Sequence, residues 1–230
     1  MALYYIGLSC LSIKGFNQFK KAECNNILSA EARRILSILA DSPADIIAAD
    51  ENGRPFFQNS SMDFSFSYSG AAVAVSLVQD KNIHGTRIKT GCDIQLIQPR
   101  KNLRDITEEN FCTDEKKYIF SQDKTQFESV RFFQIWTLKE CYIKLRGLSV
   151  FDMPKVPSFI SNDSAGRYFF SFNANDFVDG PSPLSFYLYE LEYAGESYML
   201  ATAIEGELGI KPEIRLFSQD VVLSPITYFK

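Results

Sequence analysis

Two stretches of the chain set charged and oxygen-bearing side chains at spacings that chemistry can use. In IWTLKECYIKLRG, residues 135–147, Glu140 and Lys144 stand four residues apart. On a 3.6-residue helix, Phe132, Trp136, Glu140, Ile143 and Lys144 share one side, and Leu138, Cys141, Tyr142 and Leu145 share the other. A helix apolar on both sides is buried on both. Its carboxylate and amine then need partners, because an unpaired buried charge costs several kcal/mol. The pair could serve each other, a contribution of only a few tenths of a kcal/mol in a solvated helix; a metal–phosphate site would serve both. The second stretch is TGCDIQLIQP, residues 90–99. In a strand, Asp93 and Gln95 point to one face and Cys92 and Ile94 to the other. Gly91 permits close approach of backbone or ligand. Two oxygen-bearing side chains plus a carboxylate from a facing helix make a hard-cation site suited to Mg²⁺. Such an ion is held by one or two carboxylates and completes its shell with phosphate oxygens and water.

The surrounding elements follow from periodicity. The opening MALYYIGLSC reads as a strand, and no basic leader precedes it as a signal peptide would require. Ile27, Leu28, Ala32, Ile35, Leu36 and Leu39 recur at helical spacing. FSFSYSGAAVAVSLVQD alternates up to Gly70 and then becomes β-branched, predicting a hairpin, and a further strand is expected over Thr86–Gln95. QPRKNLRDITEENF is a polar connection leading into a helix, with Thr113 as the expected N-cap of the next one. A long helix over 127–146 ends at Gly147, and three aromatic, β-branched runs after it predict three strands. The pattern is α+β: two similar halves in a pseudo-two-fold arrangement, each an antiparallel sheet packed with helix. Residues 1–98 form the first half and 99–230 the second, with the site in the cleft between them.

Composition narrows the function. The chain has 230 residues, with 46% hydrophobic and 23% charged, ordinary globular values. No run is long enough to span a membrane. Five widely spaced cysteines without a CxxC pair argue against a disulfide framework or a zinc site and fit a reducing cytoplasm. A net charge of -4 weighs against general nucleic-acid binding. His84 is the single histidine, read as a surface turn residue, which excludes sites built from several imidazoles.

In these motifs the chain resembles the surfactin-type 4′-phosphopantetheinyl transferases. That family carries a Gly-x-Asp-x-Glu strand, a Phe-Ser/Cys-x-x-Glu stretch and Trp-x-x-Lys-Glu-x-x-x-Lys. Here they read Gly91-Cys92-Asp93-Ile94-Gln95, Phe111-Cys112-Thr113-Asp114-Glu115, and Trp136-Thr137-Leu138-Lys139-Glu140-Cys141-Tyr142-Ile143-Lys144. Gly53-Arg54-Pro55 matches the family's Gly-Lys/Arg-Pro turn, and Phe66-Ser67-Tyr68-Ser69-Gly70 its Ser-His-Ser-Gly segment. The resemblance covers residues 20 to 205 approximately. Two positions depart: Gln95 replaces the strand's second acidic residue, and Tyr68 replaces the histidine.

The resemblance implies the 4′-phosphopantetheinyl transferase fold. It also implies Mg²⁺-dependent transfer of the phosphopantetheine arm of coenzyme A, the substrate, to a serine of an acyl or peptidyl carrier protein. The released product is 3′,5′-ADP. Asp93, Gln95 and Glu140 would hold the metal, Glu140 would also act as base, and Lys144 would meet the phosphate charge. Lys21, Arg54, Ser67, Tyr68 and Lys144 would contact coenzyme A, with Arg33 and Arg34 as weaker candidates; Lys139 would either assist with phosphate or be solvated. Arg100, Lys101, Arg104, Lys116 and Lys117 could dock an acidic carrier. The resemblance leaves two other readings open: a coenzyme A-binding module without catalysis, and a Mg²⁺-dependent pyrophosphate hydrolase. A cytoplasmic monomer that binds neither nucleic acid nor membrane is the simplest expectation.

Overall fold

A computed structural model describes residues 2–12, 20–41, 47–51, 53–58, 61–80, 88–121, 127–172, 183–206 and 210–229. His84 lies outside them. In chain order the elements begin with β1 (Ala2–Cys10), α1 (Lys21–Ala40), β2 (Ile47–Ala49), β3 (Pro55–Phe57), β4 (Met62–Ser69) and β5 (Ala72–Asp80). The middle of the chain supplies β6 (Lys89–Leu96), α2 (Leu103–Asn110), α3 (Thr113–Ile119) and α4 (Glu128–Arg146). After a 3₁₀ turn over Val150–Lys155 come β7 (Ile160–Asn162), β8 (Tyr168–Phe170), β9 (Leu184–Tyr193), β10 (Glu196–Glu205), β11 (Glu213–Leu216) and β12 (Val222–Phe229).

Two four-stranded sheets organise the molecule, in the orders β11-β1-β5-β4 and β12-β9-β10-β6. Alternation decides what each face meets. The spacing seen in the sequence of α1 buries Leu28, Ala32, Ile35, Leu36 and Leu39 against Phe64, Val73, Val75 and Leu77 of the first sheet. The other face of that sheet carries Tyr4, Ile6, Leu8 and Ala74 onto Cys92, Ile94, Tyr198 and Leu200 of the second. The far face of the second sheet, including Phe186, Leu188, Met199 and Ala201, packs on α4. The layers therefore run helix, sheet, sheet, helix, an α+β arrangement in which the two long helices cover the outside. Gly70, with φ of 56°, turns the β4–β5 hairpin, a left-handed geometry that costs glycine nothing.

Several expectations are corrected. Thr113 is the first residue of α3 and Cys112 its N-cap, the Cys112 N–H donating to Glu115 Oε2 at 3.1 Å. The polar connection after Gln98 itself forms α2. The strand expected from Thr86 begins, within the described residues, at Lys89. The first sheet is not wholly antiparallel, because β11 runs parallel to β1. A boundary after Gln98 would assign β6 to the first half, yet β6 forms its ladder with β10, and β11 returns from the second half to pair with β1. Each sheet thus takes one strand from across that boundary, a long-range pairing that no local pattern encodes.

Candidate active site

The site forms where α4 crosses β6, and Gly91 is what lets it. A Cβ at Gly91 would run into the Cys141 carbonyl oxygen and stand 2.9 Å from Leu145 Cβ, so the bare backbone sets how closely the helix lies. With α4 this near, Glu140 and Lys144 descend onto the face of β6 that carries Asp93 and Gln95. Asp93 is wholly buried, and Lys144 Nζ reaches its Oδ1 at 2.6 Å. Ser67 of β4 donates to the same oxygen at 2.8 Å and accepts from Lys144 Nζ at 2.8 Å. The Gln95 amide donates to Asp93 Oδ2 at 3.0 Å and to Glu140 Oε2 at 3.3 Å. Four residues named from sequence motifs are therefore one hydrogen-bonded cluster, with Ser67 as its fifth member.

The electrostatics follow from crowding. Burial and the neighbouring Asp93 carboxylate push the Glu140 carboxyl up to about 8, with Lys144 and a hydrogen bond from Trp136 pulling the other way. Burial works against the charge on Lys144, but Asp93 and Glu140 outweigh it and hold that amine above its ordinary value. A cation is thus stabilised at this point, and the second carboxylate is in want of one.

β4 builds the opposite wall. Its sequence MDFSFSYS sends Phe64, Phe66 and Tyr68 toward α1 and turns Asp63, Ser65, Ser67 and Ser69 toward β6. Asp63 Oδ2 accepts from the Thr90 N–H at 2.8 Å, Ser65 Oγ from Cys92 N–H at 3.1 Å, and Ser69 Oγ from Leu96 N–H at 2.9 Å. The outer edge of one sheet is satisfied by side chains of the other. Asp63 also takes a two-pronged bond from Arg54, at 2.9 and 2.6 Å. Sequence reading missed Asp63, Ser65 and Ser69; an acid within an otherwise Phe/Ser strand was the available signal.

Other candidates lie elsewhere. Tyr68 is on the α1 side of β4, opposite Ser67. Lys21 is exposed in the first turn of α1, and on the same helix Arg34 is paired with Glu31 at 2.7 Å. Lys139 is not solvated: it is buried in an ion pair with Glu115 at 3.0 Å and donates to the Val156 carbonyl at 3.1 Å. Of the five basic residues near the junction, Arg100 stacks within 6 Å of the rings of Phe132, Phe133 and Trp136. Arg104 lies 4.2 Å over Phe120, and Lys116 pairs with Glu108 and Lys117 with Asp114. Lys101 is exposed.

Two cavities continue the site along the C-terminal turns of α4. One of about 310 Å³ is lined by Arg54, Phe56, Asp63, Lys89 and Arg146, and one of about 200 Å³ by Arg54, Pro55, Phe66, Lys144 and Leu148. Among the described residues no three His, Cys, Asp or Glu side chains converge as a metal centre. The donor set is two carboxylates and one amide, and a single Gln95 nitrogen lies within 3.0 and 3.3 Å of both carboxylates. Both acids can therefore address one point, and two carboxylates fit Mg²⁺; Gln95 joins them only with its amide turned so that the oxygen, in place of the nitrogen, faces that point.

A model of the 4′-phosphopantetheinyl transferase superfamily matches residues 89–203, half of the chain, from β6 through most of β10. The chain is similar to the 4′-phosphopantetheinyl transferase AcpT of Salmonella typhi, 30% identical over 128 residues, covering 55% of this chain and 62% of that protein. It is 31% identical over 118 residues to AcpT of Escherichia coli K12, covering 51% and 56%. A putative 4′-phosphopantetheinyl transferase of Haemophilus influenzae is 27% identical over 143 residues, covering 61% and 58%. These alignments span less than two thirds of each relative's length. Glu140 and Lys144 on α4 and Asp93 on β6 all fall inside the matched segment, and the chain belongs to the 4′-phosphopantetheinyl transferase superfamily.

Proposed function

We propose that this chain is a surfactin-type enzyme that moves the 4′-phosphopantetheine group from coenzyme A to a serine of an acyl or peptidyl carrier protein in a Mg²⁺-dependent reaction. The observation that carries this reading is the meeting of Glu140 and Lys144 with Asp93 across the Gly91 contact. The subfamily reading is supported by two helix-covered sheets in one chain. The carrier serine Oγ bonds to the phosphorus bearing the pantetheine arm while the bond to the bridging oxygen breaks, and 3′,5′-ADP departs. Glu140, which burial and Asp93 leave protonated in the metal-free protein, would be ionised beside a bound cation and then take the serine proton. Lys144, one turn along the same helix, brings its ammonium to the leaving phosphate, where fixed charge is most effective. Asp93, Gln95 and Glu140 would hold the Mg²⁺, which when bound neutralises the pyrophosphate charge that grows as the bond breaks. Ser67 would touch the coenzyme beside Lys144; Lys21 and Tyr68 would do so only where it extends toward α1. All five cysteines are free thiols, in keeping with a reducing compartment, and no helix among the described residues is long and apolar enough to cross a membrane. A monomer acting in the cytoplasm remains the simplest form of this reading.

Mass spectrometry of an apo carrier protein incubated with the chain, coenzyme A and Mg²⁺ tests it. Gain of one phosphopantetheine group is the expected result. Coenzyme A cleaved without carrier modification would make the chain a hydrolase, and binding with neither reaction would make it a coenzyme A-binding module.

A further inference from the structure

Arg54 reaches the site, but its guanidinium is turned into protein. Its Nη1 and Nη2 donate to the two oxygens of buried Asp63, Nη2 also to the Thr90 carbonyl at 3.2 Å, and Nε to the Lys144 carbonyl at 3.1 Å. Those four bonds use nearly all that a guanidinium can donate. The turn before it holds the backbone as well: Arg54 N–H donates to Asp50 Oδ1 at 2.8 Å, Asp50 N–H to the Arg54 carbonyl at 3.0 Å, and Gly53 supplies a φ of 81°. The Lys144 carbonyl is among the last four of α4, where the backbone gives it only a long bond from the Gly147 N–H at 3.4 Å. A Cβ on Gly147, where the helix ends, would lie 3.7 Å from Arg54 Cδ, so the arginine stem runs directly beneath that end.

Lys144 is thereby gripped twice. Arg54 holds its carbonyl, and Asp93 and Ser67 hold its ammonium. A lysine stem has four rotatable carbons, so where the ammonium arrives depends on where the backbone starts. We infer that Arg54 is a positioning residue that ties the last turn of α4, and with it Lys144, to β4 and β6 instead of binding a coenzyme phosphate. The role given to Lys144 rests on the transferase reading; the tether itself does not.

Three measurements on Arg54→Ala, Arg54→Lys and Asp63→Asn decide it. Transfer kinetics should show kcat lowered by on the order of 10²-fold, the scale of a misplacement of about 1 Å. Arg54→Lys should not rescue it, because an ammonium cannot make the forked bond. Calorimetry should show coenzyme A and 3′-dephospho-coenzyme A weakened by the same factor. Amide exchange should quicken at Thr90 and Leu148, whose N–H groups lie at the tethered ends, while β1 and β5 keep their protection. Selective loss of coenzyme A over the dephospho form, or wild-type kcat in Arg54→Lys, would overturn the inference. Exchange quickened uniformly along the chain would also overturn it, reducing Arg54 to general stability. Should the wild-type chain transfer nothing, the transferase reading fails by itself, and exchange with calorimetry still decides the tether.

Discussion

Glu140 holds its proton because burial and Asp93 both disfavour a second negative charge at that point. The consequence for stability has a definite sign. Between the ordinary carboxyl range and about 8, the folded protein keeps this proton and the unfolded chain has lost it. Stability contributed here therefore falls as pH rises through that window. In metal-free buffer Glu140→Gln should melt close to wild type near pH 4 and progressively higher than wild type as pH approaches 8, followed by thermal unfolding at several pH values. A constant difference across pH would show that Glu140 ionises normally. The same variant should lose nearly all transfer, because an amide cannot accept the serine proton. Gln95 is the second residue where charge can be varied. On the proposed metal set, Gln95→Glu adds an anionic ligand to two carboxylates, so the Mg²⁺ concentration for half-maximal rate should drop. Without metal the variant should be less stable than wild type near pH 8, where a third carboxylate faces the other two. Superimposable Mg²⁺ titrations would restrict the metal set to Asp93 and Glu140.

Elements bring these residues together, and two contacts set the distance. Gly91→Ala should drive α4 away from β6, since the added carbon meets the Cys141 carbonyl and Leu145. Overpacking of this kind costs about 1–3 kcal/mol and should be read as a lowered urea midpoint with lost transfer. A wild-type midpoint would mean that the helix can slide at no cost. Ser65→Ala probes the other wall: it strips the Cys92 N–H of its partner, a loss of about 1–3 kcal/mol if no water replaces the hydroxyl. Here the limits of sequence reading are visible in particular residues. Asp93, Gln95, Glu140 and Lys144 were legible because strand and helix periodicity alone put each pair on one face. Ser67 was found through its motif but with a different partner, because nothing in an alternating strand says which neighbouring edge it will meet. Lys139 was illegible for the same reason. Its partner, Glu115, belongs to another helix, and only tertiary packing turns two separate motifs into one buried pair that also receives the Phe159 N–H at 3.1 Å. The strands β11 and β12 were missed because β11 has four residues and β12 contains a proline at the point where its register shifts.

At the scale of the whole molecule, the two sheets are not two consecutive pieces of chain. β6 leaves the first sheet's segment to edge the second, and β11 comes back to edge the first beside β1. The hydrogen-bonded cluster sits across this exchange, with Asp93 and Gln95 on β6, Ser67 on β4, and Glu140 and Lys144 on α4. A fragment of residues 1–98 would carry β6 with no β10 to pair with, its Ile94 and Cys92 deprived of half their cover. A fragment of residues 99–230 would leave β10 as a bare edge and the underside of α4 without Gly91 and Asp93. Unpaired edges and uncovered apolar faces of this size favour aggregation over folding. Produced separately, the two fragments should therefore give poorly dispersed amide spectra. The intact chain should unfold in urea as one transition, with tryptophan fluorescence from Trp136 on α4 and far-ultraviolet dichroism from both sheets falling together. Two well-dispersed fragment spectra, or fluorescence that changes at a different urea concentration from dichroism, would show that the halves fold independently. In that case the exchanged strands would be ornament to two separate domains and not the link that aligns the site.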